Sequence, residues 1–448
     1  MINRIQMPDP ALQKVLPPVR MQSGIDYVPS RFVVQFEHRG TRYSFNTLTK
    51  ECIEGGIPSH AEAVEQVADL IRGQFLVPSD KDEVQYYTSV SSLFRAFTRK
   101  SKIGTFTVLP TLACNARCVY CYEAGREQVS MDAKVEEQVI RYILANRQSG
   151  SIKLRWFGGE PMLRPDCIER ICQAMRDEKV NYRGYMVSNG SLITPEIVDT
   201  MVNRWKIESI QISMDGAEAD YIARKRYRTY HDEYHTVIRA VDCLAKAGVW
   251  VLVRCNVDRD NVDRLSGFFA DLSASVEDKE RVSIHIVPLF SERVGEDDLS
   301  IRKRILDVYP LIEQSGFRIH RSIQSVSTFS ANHCMADSGC VVIGPDGSLY
   351  ACEQCPPQSR FGDVWNGVTD GAARAEFIRV DRTREKCRSC PFLPDCTNFA
   401  SCPVENTHCR KSLEMCTVEA LKRMIDRKIE QHAEDSSGSG SGNEPSDC

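Results

Sequence analysis

The chain has 448 residues, of which 42% are hydrophobic and 26% charged, with a formal net charge of -4. That length predicts two or three folding units, and the composition is that of an ordinary globular protein able to bury a core. The near-balanced charge supplies no basic field for a nucleic-acid backbone, so no nucleic-acid partner is expected.

The opening stretch MINRIQMPDPALQKVLPPVR has no apolar h-region, and nowhere do about 18 uncharged apolar residues run together, so neither a signal peptide nor a membrane span is predicted. A cytoplasmic protein without membrane partners is the expectation. Nineteen cysteines would be odd as disulfides in a reducing compartment, which makes metal binding the better account of them. They are unevenly placed: only Cys52 precedes Cys114, four lie between Cys167 and Cys255, and ten crowd into residues 334–416.

In chain order, RFVVQFEHRGTRYSFNT predicts a hairpin, two alternating or β-branched runs about an Arg-Gly turn. SHAEAVEQVADLIRGQFLV predicts a helix capped by Ser59, with Ala63, Val64, Val67, Leu70 and Ile71 at helical spacing and Gly73 as its stop. A hairpin-plus-helix module of this kind exposes an edge strand able to accept an extended peptide; the plainer alternative is a packing domain. From residue 105 the pattern alternates. TFTVLPTL, IKLRWF, GYMVS, ESIQISM, VWVLVRCNV and VSIHIVPL predict six strands. Between them DAKVEEQVIRYILANR, PDCIERICQAMRDE, PEIVDTMVNRW, DEYHTVIRAVDCLAKA and NVDRLSGFFADL predict helices, the first capped by Asp132 with Val135, Val139, Ile140 and Ile143 on one face.

Six strands separated by helices call for a parallel α/β sheet, open or curled as part of a barrel, with ligands gathering beyond the strands' C-terminal ends. The motifs fall on that rim. The first strand runs into CNARCVYCYE, with Cys114, Cys118 and Cys121; the second ends in GGEP (158–161), the third in SNG (188–190) and the fourth in SMDG (213–216). A Cys-x3-Cys-x2-Cys loop lets three thiolates converge on three irons of a cubane and leaves one corner without a protein ligand. Zinc is the alternative that spacing alone leaves open.

In that order and context, CNARCVYCYE, GGEP, SNG and SMDG resemble a radical S-adenosylmethionine (SAM) enzyme. The resemblance implies a partial (β/α)6 TIM-like barrel over residues 105–320. It also implies a [4Fe-4S] cluster on Cys114, Cys118 and Cys121 whose open iron is chelated by SAM. It assigns Tyr120 to the adenine. Gly158 and Gly159 would let the ligand approach the backbone, and Glu160 would add a carboxylate beside the SAM ammonium. Ser188, Asn189, Ser213 and Asp215 would offer short polar groups for ribose or carboxylate. Arg254, at the end of the fifth strand, would pair with the SAM carboxylate. A rim turn or a surface ion pair is the bland alternative for the last five.

The C-terminal cysteines come as CMADSGCVVIGPDGSLYACEQC and CRSCPFLPDCTNFASCPVENTHCRKSLEMC, for which zinc knuckles are the simplest explanation. Their order resembles instead the SPASM extension of radical SAM peptide-modifying enzymes. That resemblance places Cys334, Cys340, Cys352 and Cys402 on one auxiliary [4Fe-4S] cluster and Cys387, Cys390, Cys396 and Cys416 on a second. Cys355 and Cys409 have no fixed place in it, and the five-residue gap from Cys396 to Cys402 departs from the commoner three. Cys167, Cys172, Cys243 and Cys255 are expected to be small core residues.

The expected organisation is a winged-helix-like peptide-recognition module at 1–104, a radical SAM core at 105–320, a SPASM domain at 321–425 and a disordered Ser/Gly-rich tail at 426–448. The expected function is a peptide maturase installing an oxidative crosslink, thioether first, in a ribosomally made precursor peptide that carries a leader. Carbon-carbon crosslinking, epimerisation or decarboxylation fits the same residues, and a non-enzymatic iron-sulfur or zinc scaffold is the rival from another class. An electron donor such as flavodoxin or ferredoxin is the expected protein partner.

Overall fold

A computed structural model describes residues 2–16, 19, 21–57, 64–98, 102–289, 295–320, 326, 328–329, 339–354, 357–378, 388–395 and 410–438. Among these, no helix is long and apolar enough to cross a membrane.

The N-terminal part begins with β1 (Arg4–Gln6) and α1 (Pro10–Gln13), followed by β2 (Tyr27–Pro29), β3 (Val33–His38), β4 (Thr41–Asn46) and β5 (Cys52–Glu54). It ends with α2 (Val64–Arg72), β6 (Leu76–Pro78) and α3 (Glu83–Thr98). The expected hairpin is β3 and β4, antiparallel from Val33↔Asn46 to His38↔Thr41. Its turn is made by Arg39 and Gly40, both at positive φ, which is the pair of conformations that a tight hairpin with right-handed strand twist requires. The proposed cap Ser59 lies outside the described residues, while α2 runs to Arg72 and stops at Gly73 as expected.

The sheet order is β1-β5-β4-β3, so β3 is an edge strand. One sheet face is covered by α2, through Ile53 with Val67, Leu70 and Ile71. The other face packs Phe36, Tyr43 and Phe45 against Leu421 and Ile425 of the C-terminal helix α12 (Arg410–Gly438). This helix runs into the stretch expected as a tail. Residues 426–438 are helical, because Asp426 accepts from His38 Nε2 at 2.7 Å and from Arg39 Nε at 2.9 Å, and Lys428 Nζ donates to the Ile5 carbonyl. Only 439–448 stay outside the described residues.

The six predicted strands all form: β7 (Thr105–Thr111), β8 (Ile152–Gly158), β9 (Tyr182–Ser188), β10 (Ile207–Ser213), β11 (Trp250–Val257) and β12 (Val282–Pro288). They are parallel and adjacent in sequence order. The crossovers are α4 (Ala133–Asn146), α5 (Pro165–Asp177), α6 (Pro195–Asn203), α7 (Glu218–Lys225), α8 (Glu233–Lys246) and α9 (Ser266–Ser275). Asp132 caps α4 by accepting from Val135 N at 2.8 Å. The helix α7 was not expected.

Period-2 alternation sets the two sheet faces. Trp156, Met186, Ile212, Val253 and Cys255 are fully buried in the outer core with Cys167 and Cys172, and Cys243 packs beside them. The intervening residues Arg155, Tyr185, Gln211 and Arg254, from four neighbouring strands, line one cavity. Side chains from a flat sheet would not meet in this way, so the sheet is curved, as a partial barrel requires.

The sheet does not end with the sixth strand. After α10 (Gly295–Gln314), β13 (Arg318–Ile319) extends it beyond β12. At the opposite edge β14 (Cys340–Ile343) pairs in parallel with β7, followed by β15 (Ser348–Tyr350), β16 (Gly362–Asp363) and β17 (Gly367–Val368). The short helix α11 (Gly371–Ile378) follows. A ladder therefore crosses the expected boundary between core and C-terminal domain.

Leu421 is fully buried between α12 and the N-terminal sheet. Leu421→Ala should destabilise that unit by about 2–5 kcal/mol, read as a lowered urea midpoint.

Candidate functional site

The site is built around the loop that follows β7. Thr111 Oγ1 accepts from Ala113 N at 2.9 Å, turning the chain into Cys114. Backbone bonds then tie the loop to its neighbours. From the end of β8, Gly159 N donates to Thr111 O at 3.1 Å and Glu160 N to Ala113 O at 2.9 Å. From the end of α7, Arg117 N reaches the carbonyls of Lys225 and Arg226 and Val119 N that of Arg224, each at 3.0 Å, while Arg228 N returns a bond to Asn115 O at 3.0 Å. From the end of β9, Asn189 Nδ2 donates to Asn115 Oδ1 at 2.8 Å and Asn115 Nδ2 to Ser191 Oγ at 2.9 Å.

Close backbone approach explains the two glycines. Gly158 sits at φ +118°, and a Cβ there would lie 2.3 Å from Thr111 O; one on Gly159 would lie 2.3 Å from Ala113 O. Their smallness is needed first for the loop itself.

Cys114, Cys118 and Cys121 open onto one cavity of about 330 Å³. Burial pushes the Cys114 thiol up to about 11, with Glu160 and the other two cysteines adding to the rise, and burial also raises Cys121. Desolvated thiols such as these two hold their protons until a cation makes the thiolate worthwhile, and three cysteine sulfurs on one cavity suit a metal-sulfur centre. Among the cavity-lining residues no histidine supplies a fourth ligand.

The structure brings Tyr120, Gly158, Gly159, Ser188, Asn189, Ser213 and Arg254 to that cavity's wall. It places Glu160 and Asp215 behind the wall, both fully buried and neither lining the cavity. Glu160 accepts from Met162 N at 3.0 Å, Ser188 Oγ at 2.8 Å and Asn189 N at 2.8 Å, and so welds the β8 and β9 ends together. Burial raises its carboxyl while those bonds oppose the rise. Asp215 accepts from the Tyr120 hydroxyl and from Asn256 Nδ2 at 3.1 Å, and pairs with Lys225 at 3.5 Å. Three donors already converge on each of these two carboxylates, which thereby brace residues that do face the cavity. Arg254 lines the cavity, donates through Nε to Asn256 Oδ1 at 3.0 Å and makes no ion pair among the described residues. Burial lowers its pKa, the mark of a desolvated cation that an anionic ligand would relieve.

The same cavity is lined by Glu353 and Gln354, the two residues after Cys352, and Arg126 Nη2 donates to Gln354 O at 3.4 Å. Val342 pairs with Tyr350 and Ile343 with Leu349; Cys340 begins β14, and Cys352 lies in the bend that follows β15. Cys390 precedes Pro391, whose carbonyl accepts from Thr47 Oγ1 at 2.5 Å, and Cys416 lies on α12. Cys334, Cys355, Cys387, Cys396, Cys402 and Cys409 lie outside the described residues.

Several wall residues were not picked from the sequence. Arg155, Tyr185 and Asn256 were findable, since they occupy the inward phase of strands whose outward phase is continuous apolar residue; Asn256 lies two after Arg254. Lys225 required α7, a helix of eight residues signalled by acids in its first turn (Glu218, Asp220) and bases in its last (Arg224, Lys225). Glu353 gave no signal, because it reaches the cavity only through the β14 to β7 pairing.

Residues 108–265 match the family model described as the Radical SAM superfamily. The chain thus carries a radical SAM domain, which implies SAM and a [4Fe-4S] cluster. An AdoMet-dependent heme synthase of Methanosarcina barkeri is 26% identical over 319 residues, covering 64% of this chain and 88% of that protein. A radical SAM cyclopropyl synthase, TigE, of Paramaledivibacter caminithermalis is 20% identical over 408 residues, covering 83% and 84%. In fold, the chain is similar to anSMEcpe with bound AdoMet and Cp18Cys peptide, with a TM-score of 0.57 and 18% identity over 72% of this chain and 98% of that one. It is also similar to Streptococcus suis SuiB bound to S-adenosylmethionine, with a TM-score of 0.50 and 15% identity over 83% and 95%.

Two outcomes follow. Gly159→Ala must displace the cysteine loop and should weaken SAM binding to the reconstituted protein by about tenfold or more in calorimetry; unchanged affinity would show that the loop tolerates the shift. Glu123 lines the cavity, and burial, with the nearby Glu353 adding, pushes its carboxyl up to about 7. A raised acid keeps in the folded state a proton that the unfolded chain releases, so stability falls as pH climbs from about 4.5 through 7. Glu123→Gln should therefore raise the urea midpoint of the metal-free chain at pH 8 and leave it nearly unmoved at pH 4.

Proposed function

We propose that the chain is a radical SAM maturase of SPASM type that installs an oxidative crosslink, preferentially a thioether, in a ribosomally made precursor peptide. Cys114, Cys118 and Cys121 would hold the SAM-binding cluster. The Tyr120 ring, the backbone at Gly158 and Gly159, and the side chains of Ser188, Asn189, Ser213 and Arg254 would hold SAM. Bound there, cluster and SAM together supply one-electron chemistry that removes a hydrogen atom from an unactivated carbon. The chain's own contribution is to fix the ligand, exclude water and present the peptide.

The observation that carries the proposal is the shared cavity. It is lined both by the three loop cysteines and by Glu353 and Gln354, directly after Cys352. Cys340, which begins β14, and Cys352, in the bend after β15, suit two ligands of one auxiliary cluster, with Cys334 and Cys402 completing it and Cys387, Cys390, Cys396 and Cys416 holding a second. A peptide residue in that cavity would sit between the place where a radical is made and the place where a leftover electron is taken up. The fold likeness to anSMEcpe, which holds AdoMet together with a peptide, supports a peptide substrate. The β3 edge, with no strand beyond it among the described residues, is a surface on which a leader could add a strand. The alignment with TigE, over 83% of the chain, supports a likeness that runs beyond the radical SAM domain.

Anaerobic reconstitution should give iron and sulfide, and dithionite plus SAM should then yield 5′-deoxyadenosine, which Cys118→Ala abolishes. Zinc without sulfide, or unchanged product from that variant, would overturn the proposal. Mass spectrometry of a coexpressed precursor peptide should show loss of two hydrogens; loss of carbon dioxide or no mass change would replace crosslinking with decarboxylation or epimerisation.

A further inference from the structure

Lys225 belongs to no motif of the domain, yet it touches more of the site than any cysteine. Its side chain is 1% exposed and lines the cavity. Nζ donates to Ser213 Oγ at 2.7 Å and to the Tyr120 hydroxyl at 3.1 Å, and lies 3.5 Å from the Asp215 carboxylate. Its backbone carbonyl accepts from Arg117 N within the cysteine loop.

The partners of Tyr120 limit what it can do. A phenol has one proton to give and two lone pairs. Here the proton goes to Asp215, and the lone pairs accept from Lys225 and from Asn256 Nδ2 at 3.2 Å. The hydroxyl is saturated, so Tyr120 has only its ring to offer a ligand, and that ring is held before any ligand arrives. The three groups that hold it come from separate elements: Asp215 after β10, Lys225 at the end of α7 and Asn256 on β11. Asp215 and Lys225 offset each other's charge.

We propose that Lys225 is a positioning residue for SAM: with Asp215 and Asn256 it locks the Tyr120 ring and the cysteine loop into one preorganised platform for the adenine. This rests on the radical SAM reading of the cavity and deepens it. Preorganisation works by removing the ordering cost that binding would otherwise meet, so its loss appears in affinity rather than in cluster content.

The test compares SAM affinity, by calorimetry on the anaerobically reconstituted full chain, with iron and sulfide content and with the EPR spectrum of the reduced cluster lacking SAM. Tyr120→Phe keeps the ring and removes only the bonded oxygen. It should load iron and sulfide as wild type does and bind SAM about tenfold more weakly. Lys225→Met should weaken binding at least as much, and Lys225→Arg should recover most of it. Because Lys225→Met leaves Asp215 buried without its partner, Asp215→Asn with Lys225→Met serves as the neutral control and should show the same loss. Wild-type affinity in Tyr120→Phe, or in the neutral double variant, would overturn the proposal. Absence of SAM binding in the wild-type chain would instead overturn the radical SAM reading beneath it.

Discussion

Everything in the site depends on immobilising one short, desolvated backbone segment. Residues 113–119 have no regular secondary structure of their own, so their N–H and C=O groups must be satisfied from outside. The structure satisfies them from the ends of β8 and α7 and, through side chains, from the end of β9. Gly158 and Gly159 permit the approach, and Arg226 adopts the left-handed conformation that ends α7 and turns its carbonyls toward the loop. Three thiols on a slack loop would pay the full entropy of ordering when metal binds. On this loop most of that ordering is complete beforehand.

The buried charges follow from the same constraint. Glu160 and Asp215 are fully buried, a costly position for carboxylates unless several donors converge on each. Glu160 has two backbone N–H groups and a hydroxyl; Asp215 has a phenol, an amide and an ammonium. Each ties together loops that would otherwise splay at the rim of an open sheet. Burial alone would push the Lys225 ammonium down, yet the Asp215 carboxylate and the surrounding phenols and thiol hold it well above the ordinary lysine range. Arg254 differs in kind. It faces the cavity with Asn256 Oδ1 as a hydrogen-bond acceptor but without a carboxylate ion pair among the described residues, so an anion entering the cavity would relieve its desolvation further.

The sequence made the barrel strands and the motif positions legible because both rest on local rules. Apolar periodicity located all six strands, and glycine-rich or cysteine-rich ends marked one rim. Long-range packing was not legible. The reach of Glu353 into the cavity depends on β14 pairing with β7, more than 200 residues apart in sequence, by the register Cys340↔Thr105. The end of helix α12, residues 426–438, falls in the stretch expected as a polar tail because Ser and Gly follow it, whereas the helix packs through Leu421, Ile425 and Asp426 on the N-terminal sheet. The bracing contacts of Glu160 and Asp215 were not legible for a related reason: a motif gives the residue but not the direction in which its oxygens are engaged.

The pairing of β14 with β7 also bears on mechanism. The strand that leads into Cys114, Cys118 and Cys121 is paired over its first four residues, Thr105 to Val108, with the strand that begins at Cys340. A flexible linker between core and C-terminal region would let the separation of the two cysteine groups fluctuate. A shared ladder fixes it, because slipping the register by one residue would turn Val342 and its neighbours to the opposite face. The continuous sheet thereby also sets where Glu353 and Gln354 enter a cavity whose other walls come from the barrel.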